Sequence, residues 1–127
     1  MSKKIILTKN APVPIGPYNQ GIITGSMLYT AGQIAIDPAT GQFVQGDIKT
    51  QTQQVLKNIQ SIIEQAGTTM QNVVKTSVFL RDMNDFAGMN EVYAEFFKNE
   101  FPARTTVAVL GLPRDAKVEI EAVAVIG

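Results

Sequence analysis

Arg104 stands in the segment Ala103-Arg104-Thr105-Thr106-Val107, the one cation in a run of small, β-branched and apolar residues. A guanidinium in such a place needs a partner, because an unpaired buried charge is costly. Two readings are open for it. Either Arg104 forms a salt bridge with Glu119 or Glu121, or its planar fork is free to bind a ligand carboxylate through two parallel hydrogen bonds. Glu119 and Glu121 are two apart in Val118-Glu119-Ile120-Glu121-Ala122, so on a strand both point to one side. A carboxylate on a partly dry face has its pKa raised and can hold or activate water; equally, either glutamate can be an ordinary ion-pair partner at a surface or interface.

What else the chain could do is narrowed by what it lacks. With no histidine and no cysteine among its 127 residues, it has no thiolate nucleophile, no soft metal site, no disulfide and no imidazole base, so zinc chemistry and Ser-His or Cys-His triads are excluded. Catalysis must come from carboxylates, Lys, Arg, Tyr, hydroxyls or the backbone. Eleven basic residues balance eleven acidic ones, a balance that gives no electrostatic grip on a nucleic-acid backbone. Nucleic acid is therefore a disfavoured partner. No run approaches the roughly 20 apolar residues that span a bilayer, and the basic start MSKKIILTKN lacks the apolar stretch of a secretory signal, so the cytoplasm is the expected compartment and a membrane is not expected.

The elements that must position these residues follow from pattern. Ile5 to Leu7 reads as a strand, and the three prolines of the segment 10–17 make it a shaped loop. Gly21 to Thr24 and Met27 to Ala31, split by Gly25-Ser26, read as a hairpin. Asp47 is a good N-cap for a helix whose apolar residues from Ile48 to Ala66 recur at three and four until Gly67. Val73 to Leu80 reads as a strand, and Asp85 as the cap of a second helix carrying Phe86, Met89, Tyr93, Phe96 and Phe97, stopped by Pro102. Ala103 to Leu110 and Lys117 to Ile126 are read as the last two strands, joined as a long hairpin. This order suits an α+β domain over residues 1–127, one mixed sheet with both helices on one face. Parity puts Val118, Ile120, Ala122, Ala124 and Ile126 under the helices. It leaves Glu119, Glu121, Val123 and Val125 on the open face, with Arg104, Thr106 and Ala108 expected beside them. Self-association is the simplest cover for such a face.

Other positions read less sharply. Tyr18, in Gly16-Pro17-Tyr18-Asn19-Gln20, either overhangs a pocket or packs on its own loop. Thr30 and Gly32 close a strand where glycine permits close approach to a ligand or marks a bulge. Asn90, Phe86 and Tyr93 read as core and solvated face, without a site.

Taken together, Ile15-Gly16-Pro17-Tyr18, Thr30-Ala31-Gly32-Gln33, Val74-Lys75-Thr76, Asn90-Glu91-Val92-Tyr93, Phe101-Pro102-Ala103-Arg104 and Val118-Glu119-Ile120-Glu121-Ala122 resemble the RidA (YjgF) family of reactive intermediate deaminases. The resemblance spans almost the whole chain. It implies a chorismate-mutase-like fold, a homotrimer with ligand sites in the clefts between subunits, and cofactor-free hydrolysis of 2-iminobutanoate and 2-iminopropanoate to 2-oxo acids and ammonia. It assigns Arg104 to the substrate carboxylate and Glu119 to the attacking water, with Tyr18, Thr30, Gly32, Asn90 and Thr106 at the substrate. Two departures stand out: many relatives read Arg-Ser-Cys where this chain has Arg104-Thr105-Thr106, and many carry serine at Ala31. A non-catalytic carboxylate-binding trimer and, behind it, an RNA-cleaving role are the alternatives.

Overall fold

The computed structural model describes residues 2–127. Six strands form one sheet in the order β1-β2-β3-β6-β4-β5, where β1 is Lys4–Ile6, β2 Gly21–Thr24, β3 Met27–Thr30, β4 Val73–Leu80, β5 Ala103–Ala108 and β6 Val118–Val125. Every pairing is antiparallel except β4 with β5. Helix α1, Ile48–Gln65, connects β3 to β4, and α2, Phe86–Phe97, connects β4 to β5. The last strand, β6, inserts between β3 and β4 and completes the mixed sheet.

Both helices pack on one face because each carries a single apolar stripe. Val55, Leu56, Ile59, Ile62 and Ile63 of α1 and Met89, Tyr93 and Phe97 of α2 join Leu28, Val78, Leu80, Val118, Ile120 and Ala122 of the sheet in one core. Where the helices meet, Gly88 permits close contact: a Cβ there would stand 2.6 Å from Ile48 Cγ2. The expected cap of α1 is present, with Thr50 N donating to Asp47 Oδ1 at 2.9 Å, and Gly67 beyond its end takes the left-handed φ of +92°.

Three expectations about elements are corrected. Asp85 makes no side-chain cap; α2 is entered through a 3-10 turn at Met83–Asp85, where Asn84 N donates to Asp82 Oδ1. The helix ends at Phe97, with Lys98 at a φ of 54°, before Pro102 is reached. Most consequentially, β5 and β6 are not a hairpin. The chain crosses from β5 past β4, so β4 separates the two strands.

That crossing overturns the facing expected for Arg104. Register pairs Arg104 with Thr76 and Thr76 with Ala122, and both partners are buried beneath the helices. Glu119 pairs with Phe79 and Glu121 with Ser77, on the opposite face. Arg104, Thr106 and Ala108 therefore share the helix-bearing side, and the two glutamates share the open one, with Val123 and Val125. The alternation of β5 misled because this edge strand is exposed or half-buried along its whole length, so its apolar residues do not report which side is covered.

Candidate functional site: two half-sites on opposite faces of the sheet

On the helix side, Arg104 lies against α2. Its guanidinium carbon is 4.8 Å from the centroid of the Tyr93 ring and 5.4 Å from that of Phe86, within the range of cation–π attraction. Among the described residues it forms no salt bridge, so the ion-pair reading with Glu119 or Glu121 does not hold. Tyr93 is itself fixed: its hydroxyl shares a 2.7 Å hydrogen bond with Thr76 Oγ1. Burial raises the Tyr93 pKa, partly offset by the Thr76 hydrogen bond and the Arg104 charge. A groove of about 480 Å³ opens in front, lined by Arg104, Asn90, Tyr93, Ala94, Phe101 and Pro102. Its walls are largely apolar, with one cation and the Asn90 amide as polar features. Thr106, two residues from Arg104, has a buried hydroxyl oxygen with no hydrogen-bond partner among the described residues.

On the other face, Glu119 borders a pocket of about 70 Å³ with Tyr18, Gly32, Val13, Ile15 and Pro113. The absence of a side chain at Gly32 is what admits the carboxylate, since a Cβ there would stand 2.5 Å from Glu119 Oε2. Burial, then the neighbouring charge of Glu121, pushes the Glu119 pKa above the usual carboxylate value. Tyr18 is about half exposed at 47%, and its hydroxyl accepts a long, 3.4 Å bond from Ile15 N.

The structure thus brings Tyr18, Gly32 and Glu119 together, and Arg104 with Asn90 and, by facing, Thr106. It does not bring Thr30 to either group. The Thr30 hydroxyl accepts from Ala122 N at 3.0 Å, and the residue borders a separate hollow with Lys75 and Glu121. Sequence reading passed over Phe86 and Tyr93, which cradle Arg104, and over Phe101, Val13 and Ile15 at the rims. Phe86, Asn90 and Tyr93 lie at i, i+4 and i+7 on one helix face, the signal that could have grouped them.

The two groups do not form one site within a single chain. Between the row of Arg104 and that of Glu119 lie three residues of register and two strand spacings, about 10 Å in each direction and about 14 Å in all by ordinary sheet dimensions. Their side chains then diverge to opposite faces.

The family model described as Endoribonuclease L-PSP matches residues 8–126. The chain is 58% identical over 122 residues to a RutC family protein of Pyrococcus horikoshii, covering 96% of this chain and 97% of that one. It is 50% identical over 125 residues to the 2-iminobutanoate/2-iminopropanoate deaminase of Salmonella typhimurium, covering 96% and 97%. Among solved structures, E. coli TdcF with bound serine superposes with a TM-score of 0.93 at 44% identity, covering 98% of both chains. The fold and the two groups of residues define a two-helix, single-sheet α+β protein with an arginine held against aromatic rings on one face of the sheet and a half-buried glutamate on the other. The chain belongs to the Endoribonuclease L-PSP family, the RidA (YjgF) proteins that its motifs resemble.

Proposed function

We propose that this chain hydrolyses small 2-imino acids to 2-oxo acids and ammonia, at a site completed by a second copy in a homotrimer. The observation that carries the reading is an Arg104 fork aimed by aromatic rings, without a carboxylate of its own, in a groove that lacks a base. The complementary half, Glu119 with its raised pKa, lies on the opposite face and so belongs to the site of a neighbouring copy. The relatives named as 2-iminobutanoate/2-iminopropanoate deaminases support the choice of substrate.

In this mechanism Arg104 holds the substrate carboxylate by two charge-assisted hydrogen bonds. Glu119 of the neighbouring copy accepts a proton from a water as its oxygen attacks the carbon of the protonated imine. Glu119 then returns that proton to the nitrogen of the tetrahedral adduct. The carbon–nitrogen bond then breaks with its electron pair going to nitrogen, which departs as ammonia, while the hydroxyl oxygen becomes the carbonyl of the 2-oxo acid. The proton that the hydroxyl releases is taken up by that ammonia, so one water is consumed and ammonium is the net product. Tyr18, Gly32, Asn90 and Thr106 complete the pocket in this reading; Thr30 is left to the sheet.

The test is ammonia release from 2-iminobutanoate generated in situ, measured above the spontaneous rate. The wild-type chain is expected to accelerate it and Arg104→Ala to abolish the acceleration while keeping its oligomeric state. Undiminished turnover by that variant would sink the assignment. The serine held by TdcF favours a second reading, a carboxylate-binding trimer without turnover. Calorimetric binding of 2-oxobutanoate with no acceleration would select it. RNA cleavage, which the family description names, has no histidine in this chain to serve as acid or base.

A further inference from the structure

The wall of the Glu119 pocket that carries Val13, Ile15 and Tyr18 is a loop with prolines at positions 12, 14 and 17 and no regular structure. Prolines supply no N–H, so such a segment has few means of tying itself down. Its anchor is the side chain of Gln20, only 2% exposed. Gln20 Oε1 accepts from Thr8 N at 2.6 Å, and Nε2 faces the carbonyl oxygens of Thr8 at 3.0 Å, Ala11 at 3.2 Å and Pro12 at 2.9 Å. The main chain of Gln20 holds the other wall: its carbonyl accepts from Ala31 N at 2.8 Å, one residue before the glycine that makes room for Glu119 Oε2. A single residue thus spans from the aromatic wall to the floor beneath the carboxylate.

We propose that Gln20 is a positioning residue, whose buried carboxamide sets the separation between the Tyr18 wall and the Glu119 carboxylate. The chemistry is specific to an amide, since the loop presents one N–H and three carbonyls, which need an acceptor and a two-hydrogen donor on one planar group. An apolar side chain of equal size leaves these backbone groups unpaired, and a shorter amide does not reach them together. The wall then loosens and water enters beside Glu119. The proposal rests on the deaminase reading for its effect on turnover, but not for its effect on the pocket.

The experiment compares the wild-type chain with Gln20→Met and, should that variant not fold, Gln20→Asn. Glu119 is titrated by carboxyl NMR, and amide exchange is followed at Ile15 and Tyr18. A variant of native secondary structure and assembly is expected to titrate Glu119 nearer the ordinary carboxylate value and to exchange both amides faster. It should also lose about 10²-fold in kcat/KM, the usual cost of a misplaced reacting group. A purely structural role would lower the melting temperature alone, and a folded variant with the wild-type Glu119 titration and exchange overturns the proposal. Absence of turnover in the wild-type chain would instead defeat the deaminase reading, with the titration and exchange still deciding the role of Gln20.

Discussion

Arg104 takes its geometry from two aromatic rings of α2 rather than from an acid, which leaves its fork available to a ligand. Replacing it by lysine keeps the charge and discards the planar, two-pronged donor set. Arg104→Lys is therefore expected to lower kcat/KM for imine hydrolysis by about 10²-fold or more, with affinity for 2-oxobutanoate reduced in parallel. Equal turnover in lysine and arginine forms would show that only the charge matters. At Gly32, the Gly32→Ala methyl would collide with Glu119 Oε2, so the variant should fold, retain ligand binding at Arg104 and lose about 10²-fold in kcat. Glu119 also gives a pH dependence whose sign is fixed. Burial and Glu121 raise its pKa in the folded chain, so the folded state keeps this proton after the unfolded state has released it. Folding stability falls as pH rises from the ordinary carboxylate value through the raised one. Glu119→Gln removes that loss. Melting temperatures of variant and wild type, compared between about pH 4 and 7, should diverge in favour of the variant as pH rises, and a constant difference would contradict this account.

At the level of elements, patterns under the helices were legible and patterns at the sheet edge were not. The apolar spacing of α1, the bounds of β4 and the inward side of β6 all follow from residues that meet the core. The parity of β5 does not, because Thr105 and Val107 are exposed and the half-buried residues are Arg104 and Thr106; register with Thr76, a long-range fact, decides it. The supposed β5–β6 hairpin failed for a related reason, since the segment between the strands has turn chemistry whether or not they pair. That segment is held instead by Arg81, whose Nη1 donates to Asp115 O at 2.6 Å and contacts Asp115 Oδ1 at 2.7 Å. Arg114 and Asp115 there adopt φ values of 57° and 59°, where a side chain costs about 1–2 kcal/mol. Because Arg114 is exposed, Arg114→Gly should stabilise the fold by about 0.5–1 kcal/mol after the added freedom of the unfolded chain is counted. Denaturant midpoints would check this, and a destabilised glycine variant would mean that the Arg114 side chain holds the turn.

For the whole molecule, the sheet divides the chemistry. Family likeness named Arg104 and Glu119 as partners, and parity alone placed them together for a wrong reason. The rims of both half-sites carry exposed apolar side chains, Phe101 at 57% beside Arg104 and Val13 and Ile15 at 77% and 68% beside Glu119, the kind of surface that association covers. The open face between them, with Tyr29 and Val107 also exposed, provides further area for the same purpose. The central claim is that Arg104 of one copy works with Glu119 of another. Arg104→Ala and Glu119→Ala, each inactive alone, are to be denatured, mixed in equal amounts and refolded together, and imine hydrolysis assayed. Each site drawn at random has an intact arginine half the time and an intact glutamate half the time, so about a quarter of wild-type activity should return in a cyclic assembly. Activity that stays at the level of the two variants assayed separately would place both residues of each site in the same chain and contradict the account.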